Sequence, residues 1–223
     1  MIDFVKDILK KYIKNSQYKR NVMVMVSGRI VAQIIPILLT PLLTRIYSPG
    51  EFGIFGVYST IIAIVAMSSN GRYSLSIILP KEDEQAKRLF LLSSIFTIIC
   101  TIFFGIFAIT FGKEIFNYLE SPLLSEYIII LLLNILFIGL YEPLYYFALR
   151  TKQYKILTTN IVIQALILVF TRITLGYLGY TETGLIISYL VGYSLSYILL
   201  LLRLKIPLLM LIKEFKIKDY VRL

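Results

Sequence analysis

Histidine and tryptophan are absent from this 223-residue chain, and cysteine occurs once, as Cys100. Without histidine there is no HExxH zinc site and no Ser-His-Asp relay, and the commonest zinc ligand is missing. A single cysteine excludes an intrachain disulfide, and inside an apolar run it reads as a small buried or lipid-facing hydrophobe. Charge is scarce too, at 16% of residues, against about a quarter in soluble domains. Acid is the scarcer sign, with 13 Asp and Glu against 23 Lys and Arg. No nucleophile–base or metal constellation appears, so neither an enzyme nor a cofactor is expected.

What is abundant is apolar. Hydrophobic residues make up 58% of the chain and the mean hydropathy is +0.80. Apolar runs recur along the whole length and leave no stretch for a soluble domain. The expected fold class is an all-α polytopic membrane protein with six transmembrane helices, over about 22–46, 52–79, 88–111, 123–149, 156–178 and 184–204. The second of these is overlong and contains Asn70-Gly71, so a tilt or a break is expected there. Residues 1–20 lack the apolar core and cleavage site of a signal peptide. They suit a basic amphipathic arm lying on the membrane or, alternatively, a frayed basic tail. Residues 206–223 are expected to be a second basic tail or a linker to a second lobe.

Most of the basic residues fall in the amino-terminal arm, the 80–88 loop, the 150–155 loop and the carboxy-terminal tail, all on one side of a six-span layout. By the positive-inside rule that side is cytoplasmic, as are both termini. Orientation alone accounts for this spread, and no nucleic-acid-binding motif accompanies it, so nucleic acid is not expected as a partner.

The first span is not a plain anchor, because Arg29, Pro36 and Pro41 lie inside it. Charges and helix breaks at membrane depth are tolerated where they face a protein interior or a water-filled cavity. Counting from the basic side, Arg29, Arg72 and Glu142 each lie about seven residues in, or roughly 10–12 Å deep at 1.5 Å per residue. Either they line a cavity in which a free guanidinium attracts an anion such as a phosphate, or they form an internal ion pair that locks three helices. Arg45 and Arg172 stand near the opposite ends of their spans, as interfacial anchors or as a second anion station. Gln33, Asn134, Asn160 and Gln164 either contact sugar hydroxyls or hydrogen-bond between helices. Gly184, Ser188, Gly192 and Ser196 form a small-residue packing stripe, beside a ridge of Tyr189, Tyr193 and Tyr197. Pro143 next to Glu142 repeats the pairing of a helix break with a buried charge.

At LLTPLLTRIYSPGEFGIFGVYSTI (38–61) and GRYSLSIILPKEDEQAKRLFLLS (71–93) the chain resembles the Wzx-type polysaccharide flippases of the multidrug/oligosaccharidyl-lipid/polysaccharide exporter superfamily. The resemblance implies translocation of a lipid-linked oligosaccharide on a polyprenyl pyrophosphate carrier across the cytoplasmic membrane, without covalent chemistry. It also implies that Arg29 and Arg72 lie on helices lining a central cavity. That family has twelve to fourteen spans in two lobes, and six spans resemble the amino-terminal lobe alone. The expectation is a truncated product, a lobe completed by a second chain, or an association of two copies, surrounded in each case by membrane lipids. The alternatives are a cation-coupled multidrug exporter of the same superfamily and a non-transporting partner of the polysaccharide assembly machinery.

Overall fold

The computed structural model of the chain describes residues 2–205, and for residues 2–18 and 182 the backbone alone. In order it contains α1 (Ile2–Ile46), α2 (Pro49–Ser69), a single turn α3 (Tyr73–Ser76) and α4 (Asp83–Tyr118). A 3-10 turn (Pro122–Ser125) leads into α5 (Ile128–Arg150), α6 (Tyr154–Tyr177) and α7 (Thr181–Leu204). There is no strand among the described residues. Six of the helices are long and apolar enough to cross a membrane, so the chain is a multi-pass, all-α membrane protein as its composition predicts. Helix α1 runs from Ile2 through residue 20 without a break, so the arm is drawn as its first part. The arm's amphipathic face and the tail from residue 206 lie outside the described residues.

The main correction concerns the second span, expected over 52–79. Helix α2 starts at Pro49, three residues ahead of the expected 52, because Ser48 and Glu51 form a reciprocal capping box with Pro49 in the first turn. It stops at Ser69, because Gly71 and Arg72 both take positive φ, at 56° and 59°. The buried Asn70 side chain holds that turn, its Oδ1 accepting the Arg72 backbone N–H at 2.9 Å. An arginine in the left-handed region is strained, and glycine beside it is not. The chain therefore leaves α2 about ten residues early, and Arg72 does not continue a membrane-spanning helix.

Helix α5 carries its own interruption at Pro143, whose missing N–H frees the Gly139 carbonyl. Thr97 of α4 reaches that carbonyl with its hydroxyl at 3.4 Å. Gly139 has no side chain to block the approach: a Cβ there would lie 2.6 Å from Ser69 Oγ and from the Thr97 methyl. Helices α2, α4 and α5 meet at this point. The small-residue stripe of α7 is buried against α6, with Gly192 over Leu168, Ser188 at Arg172 and Ser196 at Asn160.

Helix α6 packs between α1 and α7, and α5 between α4 and α7, while α2 leans on α5 and α7. The extensive contact of α1 is with α6, so α1 and α2 form opposite walls of a cleft floored by α5, α6 and α7. At the basic end Arg150 closes α5 onto the loop before α4, donating to Asp83 Oδ1 at 2.9 Å and to the Pro80 carbonyl. At the far end Tyr47 is buried and donates to the Arg172 carbonyl at 2.6 Å. Its ring sits over Gly176 and Gly184, where any Cβ would overlap Ile46 or Tyr47.

Candidate functional site

Arg29 projects from α1 into the cleft. Its Nη2 donates to the Tyr145 hydroxyl of α5 at 2.7 Å, and the guanidinium carbon lies 5.9 Å from the centre of that ring. It can reach across because α1 approaches α6 closely at Gly28, where a Cβ would overlap the Thr158 side chain. Thr158 in turn donates to the Val24 carbonyl at 3.3 Å. Small residues at a crossing permit such an approach.

The cleft holds a cavity of about 410 Å³ whose polar lining comprises Arg29, Glu142, Gln164 and the tyrosines Tyr141, Tyr145, Tyr189 and Tyr193. Its α2 wall is apolar, with Ile62, Ala66 and Met67. A second chamber of about 320 Å³ continues between α1 and α6, past Gln33 and Pro36. Arg29, Ile161, Gln164 and Tyr193 line both, and so mark the partition between them. Mostly apolar walls with a few convergent polar groups, at this volume, are the usual form of a ligand site.

Cation and anion share the larger cavity without pairing. No carboxylate among the described residues comes within ion-pair distance of Arg29, and Glu142 accepts instead from Asn70 Nδ2 at the broken end of α2. Facing lipid, each charge would cost about 2.5–3.5 kcal/mol at mid-helix. In the structure both line this cavity instead, where a ligand can reach them. A guanidinium anchored through one nitrogen keeps its remaining N–H groups for phosphate oxygens.

Helix α2 and everything after it, together with the last turn of α1, lies within residues 42–223, which match the family model described as "Polysaccharide biosynthesis protein". The chain belongs to the polysaccharide biosynthesis protein family. No curated protein and no solved structure matches the chain. The matched range includes Glu142, Gln164 and Arg172, while Arg29 and Gln33 lie ahead of it. Membership places the chain in polysaccharide biosynthesis, as a membrane component.

Of the residues singled out in this polysaccharide biosynthesis protein, Arg29, Gln33, Glu142 and Gln164 line the cleft. Arg72 does not line either chamber. Its depth was counted along a helix that in fact ends three residues before it, and it sits exposed in the turn beyond α2. Asn160 is buried in a helix-to-helix knot and presents nothing to the cavity. Arg172 is neither an exposed anchor nor a lining residue. Its Nε donates to Ser188 Oγ at 3.2 Å and its guanidinium carbon lies 4.7 Å from the centre of the Phe55 ring. Asn134 donates to the Tyr58 hydroxyl at 2.6 Å and joins α5 to α2. Tyr141 and Tyr145 were missed, although the run Tyr141-Glu142-Pro143-Leu144-Tyr145 carries the signal: two tyrosines four residues apart flank a membrane acid and a helix break.

Proposed function

We propose that this chain translocates a lipid-linked oligosaccharide across the cytoplasmic membrane, without covalent chemistry, with its basic end on the cytoplasmic side. The observation that carries this reading is Arg29: a membrane-depth guanidinium facing a cavity large enough for a headgroup, unpaired with any described carboxylate. The diphosphate of a polyprenyl carrier supplies the missing anion through a charge-assisted, forked contact. The polyprenyl tail stays in lipid beside the open side of the cleft, between α1 and α2. With the inside negative, the membrane potential contributes about 2.3 kcal/mol per charge per 100 mV to outward movement of an anion. A second lobe or a second copy across the cleft would complete the passage.

Export of surface polysaccharide in cells that depend on this chain tests the reading. Arg29→Ala should cut export by about 10- to 100-fold, the equivalent of the ~1.5–3 kcal/mol of a hydrogen bond to a charged group, with the amount of protein in the membrane unchanged. Undiminished export in that variant overturns it.

Glu142 in the same cavity favours a second reading, cation-coupled export of an organic cation. The two part on Glu142→Gln, which should abolish cation export but leave glycan export largely intact.

A further inference from the structure

Asn160 and Gln164 stand one turn apart on α6 and differ by a single methylene, yet their surroundings are opposite. Every polar atom of Asn160 is committed within the protein. Its Oδ1 accepts from the Tyr141 hydroxyl at 3.1 Å and from Ser196 Oγ at 2.6 Å, and its Nδ2 donates to the Ser196 carbonyl at 3.0 Å. That knot already joins α5, α6 and α7. Gln164 makes no hydrogen bond among the described residues, and its Nε2 is buried without a partner. It is nonetheless one of the residues lining both chambers, beside Arg29 and Tyr193. The fold does not use this amide, and a bilayer cannot satisfy one.

We infer that Gln164 reads the sugar next to the diphosphate, its side-chain amide pairing with two neighbouring hydroxyls of a pyranose ring. The inference rests on the flippase reading above and adds the ligand group that this position takes. A primary amide presents donors and an acceptor side by side. Phosphate oxygens offer acceptors only and leave the amide oxygen unmatched, whereas two adjacent hydroxyls, each donor and acceptor, match both. Tyr193 and Ile161 in the same partition supply apolar surface for the C–H face of the ring. Because Arg29 lines the same two chambers, a diphosphate bound there brings the attached sugar to Gln164.

The full chain in lipid nanodiscs is titrated with polyprenyl diphosphate and with polyprenyl diphosphate bearing one galactose. The wild type should bind the sugar-bearing lipid about tenfold more tightly, as two modest hydrogen bonds provide. Gln164→Leu should erase that preference while leaving the affinity for bare polyprenyl diphosphate and the thermal unfolding midpoint unchanged, since no hydrogen bond within the protein is lost. Gln164→Met, closer in shape, should behave alike, and Arg29→Gln should weaken both lipids. The inference is overturned if the wild type binds the two lipids equally, if the Gln164 variants keep the preference or lose both lipids together, or if their unfolding midpoint falls. If the wild type binds neither lipid, the flippase reading fails, and this assignment fails with it.

Discussion

Helices α1 and α4 are both long, apolar and poorly covered by the rest of the chain, yet they are exposed to different surroundings. In the most apolar stretch of each, a third of α4 is buried inside the molecule and only 6% of α1. The uncovered face of α4 is uniformly apolar through its middle, with Ile98, Ile99, Ile102, Phe103 and Ile106. On α1, Arg29 and Gln33 stand one turn apart on the side that lines the cleft, while Ile30 and Ile37 are exposed among the apolar residues. Exposure alone therefore does not identify a lipid-facing helix. The difference lies in whether the exposed polar groups could be satisfied by acyl chains, and those of α1 could not. Helix α4 is an outer wall, and α1 is one side of the cleft.

The sharpest way to break this comparison is to give α4 what α1 has. Ile102→Arg, close to the middle of α4, should destabilise the inserted protein by about 2.5–3.5 kcal/mol, seen as loss of folded protein from detergent extracts. Equal tolerance of arginine on the two helices would erase the distinction. Next in size is Gly28→Val, which drives a side chain into Thr158 and forces α1 away from α6. Overpacking of this kind costs about 1–3 kcal/mol, and the unfolding midpoint should fall while the apolar face of α4 is untouched. The smallest effect belongs to Gln33→Leu. Its side chain makes no hydrogen bond with another described residue, so stability should change by less than about 0.5 kcal/mol, and any loss of export would then report on the cleft rather than on folding.

Which parts of this arrangement were legible in the sequence follows from the range of each interaction. The spans were legible because about 20 apolar residues in a row have few other uses. The capping box at Ser48 and Glu51 is equally local, yet the span was read from 52 and the box was overlooked. The end of α2 was marked by Asn70-Gly71 as a tilt or a break, but the choice between them was not legible, because the Asn70 side chain that holds the turn is itself held by Glu142, 72 positions along the chain. Counting depth through that break set Arg72 level with Arg29 and Glu142; in the structure Arg29 and Glu142 line one cavity and Arg72 lines neither chamber. Asn160 and Gln164 could not be told apart by type or spacing. Only the positions of Tyr141 and Ser196 decide that one is a structural clamp and the other an amide left without a partner in the protein.

Tyr47, seated over Gly176 and Gly184 and bonded to the Arg172 carbonyl, also constrains how the molecule can move. The α1–α2 corner and the α6–α7 corner are pinned together there, so prying them apart would empty a close-fitting aromatic socket. Any motion that widens the cleft must therefore leave this corner closed, so it can act only as a fulcrum and not as a gate.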